Sequence, residues 1–342
     1  WIFIYLIGYV SIFLLASIPV SYFISRMGFK HSLITSYIFY LPAFLLIRTF
    51  SLSNNLVIAV SALIGLGKAF HWIALHSEFA LDSQKDGRGS SSGKMLGLPR
   101  LARSIAPLIG GAIMSWYGFP LLVTLTVIVF MLSSLPLFAS GDHRDPMDYS
   151  FRDFLSKRYL KLGSIFALRG VSIVPAVFLF PLFVYYIRGS IDAGGVSALK
   201  GVGSMVFAVF LGKASDRFDR KKMILVGLAV SSVLFFSRIF VTQSLQAFTV
   251  SLIDGLAFMV FYVPLYSSLA DMAEYEDVLE FYAFRELMLG VGKLIALVPA
   301  LYFAVNLSIN AGLKASFAVA GISCIILVIV VELSDLGLER NK

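Results

Sequence analysis

Charge, cysteine and histidine are all scarce in this 342-residue chain. Charged residues make up 14%, against about 25% in ordinary soluble domains. The one cysteine, Cys324, excludes a disulfide framework and a cysteine-based metal centre. The four histidines, His31, His71, His76 and His143, form no H-E-x-x-H helix. No G-x-x-x-x-G-K-[ST] loop occurs, so this chain carries no Walker-type phosphate cradle. No metal and no cofactor are expected. Hydrophobic residues, by contrast, reach 58%, and mean hydropathy is +0.87. A water-soluble fold cannot bury that much apolar surface, which argues against a soluble enzyme.

The apolar residues come in blocks of about 20, the length that crosses a ~30 Å hydrocarbon layer as a helix. Eleven spans are expected, at about 1–24, 31–49, 55–80, 95–116, 119–139, 160–187, 194–213, 222–241, 246–270, 284–306 and 311–333. The ~10-residue alternation of a membrane β-barrel is absent. The predicted fold class is therefore an all-α polytopic membrane protein. The net charge of +8 follows the loops. With the loop after the first span placed in the cytoplasm, the loops on that side hold eighteen Lys and Arg, and the opposite loops only Arg48 and Arg188. That bias puts the C-terminus in the cytoplasm. The basic excess is a membrane-topology signal and implies no nucleic-acid partner.

An internal repeat divides the chain. Ser25-Arg26-Met27-Gly28-Phe29-Lys30 follows the first span, and Asp216-Arg217-Phe218-Asp219-Arg220-Lys221 follows the seventh, 191 residues on. Met95-Leu96-Gly97 with Arg100 recurs as Met288-Leu289-Gly290 with Lys293, 193 residues on. Each is followed by a proline inside its span, Pro107 and Pro299. The second half has six spans and the first has five. The partner of span 160–187 would fall before Trp1, so one further helix is expected there, and twelve in all. The expected domains are an N-terminal bundle over 1–139, a cytoplasmic linker over 140–160 and a C-terminal bundle over 161–342. In the linker, Phe151, Phe154, Leu155 and Arg158 fit a short amphipathic surface helix.

Two motifs carry a family likeness. Gly212 to Lys222 reads Gly, three residues, Asp216-Arg217, one residue, Asp219, then Arg220-Lys221-Lys222. In the first half only Arg26, Gly28 and Lys30 are kept. Gly93, Ala102, Ala106-Pro107 and Gly110-Gly111 form a small-residue series in the fourth span. With six plus six helices and a basic central linker, the chain resembles the major facilitator superfamily, two six-helix bundles with eleven helices present here. That family's loop signature has a second glycine where this chain has Asp219. The resemblance implies gating loops at Arg26, Gly28, Gly212, Asp216, Arg217 and Arg220, and a packing motif at Pro107, Gly110 and Gly111. The loop physics is that of a carboxylate offered to an arginine and a helix N-terminus. Simple anchoring of the basic residues to anionic headgroups is the alternative.

The resemblance also implies a central path lined by the spans holding Lys68, Arg169 and Asp254. Lys68, His71, Trp72 and Leu75 lie on one helical face. Asp254, Phe258, Phe261 and Tyr262 lie on another. Asp254 is read as the one deep carboxylate, with Lys68 as its partner. Arg238, Lys200 and Lys314 are expected to snorkel to the outer surface. His76 and Glu78 are expected to be solvated. The acidic stretch Asp271, Glu274, Glu276, Asp277 and Glu280 reads as a solvated loop, with docking on basic loops as the alternative. The expected function is secondary active transport of a small organic solute, anionic or amphipathic, with protons as a candidate coupling ion. The expected protein is not an enzyme and is a monomer among membrane lipids of the plasma (inner) membrane. A non-transporting receptor and a lipid-modifying membrane enzyme are the alternatives.

Overall fold

The structure is a computed structural model and describes residues 2–48, 53–82, 88–139, 141–142, 144, 157–273 and 277–333. Every regular element among the described residues is helical. In chain order they are α1 (Ile2–Met27), α2 (Phe29–Arg48), α3 (Asn54–Asp82), α4 (Arg88–Tyr117), α5 (Phe119–Ser133), α6 (Leu135–Ala139), α7 (Lys157–Val174), α8 (Phe180–Arg188), α9 (Ser190–Arg217), α10 (Arg220–Ser237), α11 (Ser244–Ala273), α12 (Val278–Asn306) and α13 (Ile309–Glu332). Each of the eleven expected spans is helical over nearly all of its described residues. Two of them are built in two pieces, α5 with α6 and α7 with α8. Nine helical stretches among the described residues are long and apolar enough to cross a membrane. α4 and α9, richer in Ser, Gly and charge, stand outside that set. The chain is an integral, multi-pass membrane protein. The linker residues 145–156, including Phe151, Phe154 and Leu155, lie outside the described residues, as does the side chain of Arg158.

A five-residue π-helical turn, Pro175–Leu179, joins α7 to α8. Pro175 has no N–H to give to the ladder, and the Phe180 N–H reaches back to the Pro175 carbonyl, five residues away. A single 3₁₀ turn, Arg238–Phe240, ends α10. Gly118 joins α4 to α5 alone, at φ 82°, a conformation open to glycine and strained for other residues.

The chain forms two compact units: residues 1–82, 112–166 and 273–294 in one, and 83–111, 167–272 and 295–342 in the other. The division follows packing rather than chain order, since part of each sequence half packs with most of the other. In the first unit Phe13, Val20, Ile24 and Phe29 of α1 and α2 pack on Ala69, Phe70 and Ile73 of α3. In the second, Phe235 of α10 packs on Ala320 and Cys324 of α13, and Ser232 Oγ donates to the Gly321 carbonyl at 3.0 Å. Some buried serines bond to their own helix: Ser17 Oγ donates to the Phe13 carbonyl at 2.8 Å and Ser316 Oγ to the Leu313 carbonyl at 2.6 Å. Large apolar residues such as Leu15, Phe210 and Val233 stay exposed, as lipid-facing residues do.

Candidate functional site

The second unit holds a buried cluster of charge. Asp254 on α11 is its centre: Oδ2 lies 2.6 Å from Lys200 Nζ on α9 and 2.8 Å from Arg238 Nη2 at the end of α10. Asp254 is 3% exposed and Arg238 0%. The Arg238 guanidinium stands over two rings, 4.7 Å from the centroid of Phe180 and 4.4 Å from that of Phe235. This contact to two π-faces replaces part of the water the cation has lost. Lys200 Nζ also donates to the Ala176 carbonyl, inside the π-helical turn, at 3.3 Å.

Close backbone approach sets this geometry. A Cβ added at Gly255 would collide with the Lys200 carbonyl, and one at Gly203 with the Leu252 carbonyl. Ser204 Oγ donates to the Gly255 carbonyl at 3.1 Å. α9 and α11 therefore cross at nearly backbone contact, where Lys200 and Asp254 meet.

Arg169 on α7 completes the cluster. Its guanidinium lies 5.2, 5.1 and 5.4 Å from the ring centroids of Phe258, Phe261 and Tyr262, and its Nη1 donates to Ser172 Oγ at 2.5 Å. The expected face of α11 is thus an aromatic wall beneath an arginine. Among the described residues the cluster sets three cations against one carboxylate.

Two expectations are corrected here. Arg238 does not snorkel, because Asp254 and two rings hold it fully buried. Lys200 turns inward to Asp254, although 22% of its side chain stays accessible. Lys314 is partly buried. The Asp254 partners that the structure shows are Lys200 and Arg238. Lys68 lies in the first unit, its Nζ 4.6 Å from the centroid of Tyr9. His71 meets Tyr40 and Trp72 edge to face.

A second cluster, in the first unit, went unread in the sequence. The His76 imidazole stacks on Trp72 (5.3 Å) and on Tyr282 of α12 (5.7 Å), and its Nε2 lies 3.9 Å from Glu286 Oε1. Arg285 Nη1 donates to the same oxygen at 2.7 Å. His76 is therefore buried, not solvated. Glu280 and Glu286, in the first turns of α12, are buried acids as well. The reason is that α12 begins at Val278, well before the apolar run, and packs its polar first turns on aromatic neighbours. Glu78 is partly buried.

At the gating loops, Arg220 is buried, its Nη1 2.5 Å from Asp271 Oδ2 and its Nε donating to the Ser215 carbonyl at 3.3 Å. Asp271 is thus part of an ion pair, which corrects its solvated-loop reading. Asp219, the departure from the family signature, caps α10 by accepting from Lys221 N (2.9 Å) and Lys222 N (3.3 Å). In the first half the carboxylate missing from the loop comes from the linker: Asp142 accepts from Lys30 N at 3.0 Å, at the start of α2, and contacts His31 Nδ1. Gly28 has φ 92°, and an added Cβ would collide with Asp142. Arg26 bonds and covers Tyr22. The surroundings of Gly212, Asp216, Arg217, Pro107 and Gly111 lie outside the described residues. Gly110 in α4 is partly buried. Glu274 and Glu276 lie outside the described residues.

Residues 162–337 match the Major Facilitator Superfamily. The chain belongs to this superfamily. Its fold agrees with solved members: a bacterial homologue of the iron transporter ferroportin in the outward-facing state (TM-score 0.72, 16% identity, 96% of this chain and 89% of that one). It also agrees with the human organic anion transporter MFSD10 (TETRAN) (TM-score 0.64, 14% identity, 96% and 83%). The uncharacterized protein YqgE of Bacillus subtilis (strain 168) is 22% identical over 281 residues, covering 78% of this chain and 65% of that relative's own length.

Proposed function

We propose that the chain is a secondary transporter that carries a small organic anion across the cell membrane by alternating access, with protons as the coupling ion and the C-terminus in the cytoplasm. The observation that carries this reading is the cluster of Arg169, Lys200 and Arg238 around Asp254, beside the wall of Phe258, Phe261 and Tyr262. A buried excess of positive charge attracts an anion and repels a metal cation. The aromatic faces offer the apolar part of such a solute a surface of matching shape. The solute class named for the human organic anion transporter agrees with this chemistry.

Alternating access needs contacts that join the two sequence halves and can part. The superfamily rocks two six-helix bundles, here 1–139 and 161–342, hinged at the linker. In this reading Lys68, His71 and Trp72 line the path from the first half, while Arg26, Gly28, Gly212, Asp216, Arg217 and Arg220 tune the gate. Pro107, Gly110 and Gly111 let α4 bend and pack closely. The chain acts as a monomer among lipids and catalyses no covalent chemistry.

The test uses purified protein in liposomes and radiolabelled benzenesulfonate, an aromatic anion too acidic to cross the bilayer in neutral form. Saturable exchange is expected, with little for an uncharged sugar or tetraphenylphosphonium. Arg169→Ala is expected to lower it about tenfold, the loss of roughly 1.4 kcal/mol of a charge-assisted contact. Preference for the cationic probe would overturn the anion assignment. Exchange no faster than in protein-free liposomes for every probe would overturn transport.

A further inference from the structure

Lys200 of α9 reaches two other elements of the second unit at once. Its ammonium meets Asp254 on α11 at 2.6 Å, donates to the Ala176 carbonyl in the π-helical turn at 3.3 Å, and lies 5.9 Å from the Phe258 ring centroid. Among the described residues, the charged and titratable groups around it are Asp254 from α11, Arg238 from the end of α10 and Arg169 from α7. Cys324 from α13 stands near Asp254 and both arginines and, as a thiol, adds no charge.

Charge arithmetic selects the group that exchanges a proton. Arginine keeps its proton in proteins, so Arg169 and Arg238 stay cationic. Protonating Asp254 would leave three cations together with no counter-charge. Releasing one proton from Lys200 leaves the Asp254–Arg238 pair neutral and only Arg169 in excess. Lysine is also the basic side chain that gives up its proton most readily when buried. Of the three ion-paired groups, Lys200 is the most accessible, at 22% of its side chain against 4% for Asp254 and 0% for Arg238.

We propose that Lys200 is the binding site of the transported proton, and that its protonation ties the π-helical turn Pro175–Leu179 to Asp254. The step is Lys200–NH₃⁺ to Lys200–NH₂ with the proton passing to water; no other bond is made or broken. The ammonium holds the Ala176 carbonyl and Asp254 together. The neutral amine is a weaker donor to both, and Asp254 keeps Arg238. The turn then loosens at the joint between α7, which carries Arg169, and α8. This inference rests on the anion-transport reading and fixes its direction of coupling. An anion held by Arg169 favours the charged form of Lys200, and by reciprocity protonated Lys200 favours the anion. Proton and anion therefore bind together and move the same way.

Two measurements test it, the first without any solute. Hydrogen–deuterium exchange of the full chain in detergent is followed over residues 170–188 from about pH 6 to about pH 10, corrected for intrinsic exchange. In the wild type, protection is expected to fall about tenfold as pH rises. Lys200→Arg, a permanent cation, should keep the turn protected throughout, and Lys200→Gln should leave it loose throughout. The same pH dependence in Lys200→Arg as in wild type, or none in wild type, overturns the assignment. If Lys200→Gln fails to fold, Lys200→Arg decides alone. In liposomes, Lys200→Arg should lose the accumulation of benzenesulfonate driven by an inward proton gradient, judged against that variant's own rate of exchange without a gradient. Full gradient-driven accumulation in that variant also overturns it. Absence of exchange in wild type defeats the transport reading, and the exchange-protection result still judges the proton site.

Discussion

Asp254 is shared by Lys200 and Arg238 on a single oxygen, Oδ2. Removing one partner of a buried pair leaves the other charge uncompensated, at a cost of about 3–5 kcal/mol, whereas replacing the whole pair with apolar groups is often neutral. Asp254→Leu and Arg238→Met are each expected to lower the melting temperature in detergent by several degrees. The double variant should recover most of the loss, because Lys200 can then go neutral. Additive losses in a thermal-unfolding double-mutant cycle would show that the pair is not the unit of stability. Of this cluster the sequence marks Asp254 and Arg169 as deep, and the matching depth of Lys200 follows only from the observed helix starts. Lys200 is ten residues from the start of α9 and Asp254 ten from the start of α11, and those helices run parallel because α10 lies between them. At 1.5 Å per residue both sit about 15 Å from their helix starts. Equal depth pairs them. Arg238 gave no such signal, because its position at the end of an apolar run fits snorkelling as well as burial.

The helices were far more legible than their contacts. Runs of about 20 apolar residues marked every span, since backbone groups in lipid must bond within the helix. The start of α12 was misread because Glu280 precedes the expected span and Arg285 and Glu286 open it, yet all three are buried inside the helix, with Arg285 5.6 Å from the Tyr282 ring centroid. Hydropathy cannot show that a polar turn is buried by protein rather than by lipid. Glycines carry the contact information instead. At the crossing of α9 and α11, a side chain at Gly203 would strike the Leu252 carbonyl. Gly203→Val is therefore expected to separate the helices and cut the yield of monodisperse protein in size-exclusion chromatography several-fold. Val202→Ala, at an exposed neighbouring position, should leave it unchanged. Similar yields for both would mean that the crossing tolerates a wider spacing. At the start of α2, Gly28→Ala combines the strain of φ 92° with a clash against Asp142. A loss of about 1–2 kcal/mol from the backbone conformation alone is expected in chemical unfolding. Asp142→Gly in the same background should relieve only the clash.

Among the described residues, polar contacts tie the sequence halves together within each compact unit. His76 of α3 meets Glu286 of α12, and Ser267 of α11 bonds Ser92 of α4, Oγ to Oγ at 3.0 Å. His76 and Ser267 are 191 residues apart, one of the offsets of the internal repeat, and Ser92 and Glu286 are 194 apart, one residue beyond the other. The two contacts are thus near counterparts under the repeat, one charged and aromatic, one a plain hydroxyl pair. Under alternating access the bundles 1–139 and 161–342 must part, so Ser92 and Ser267 must separate in every cycle. Replacing both by cysteine converts this into a lock, since the hydroxyl spacing is compatible with a disulfide. Cys324 is buried and does not compete. The oxidised double variant is expected to exchange benzenesulfonate at less than about a tenth of its reduced rate, with full recovery on adding a thiol reductant. Each single cysteine variant should be insensitive to oxidant. A cross-linked protein that transports at the reduced rate would show that α4 and α11 stay together throughout the cycle, and that the moving boundary lies elsewhere than between the sequence halves.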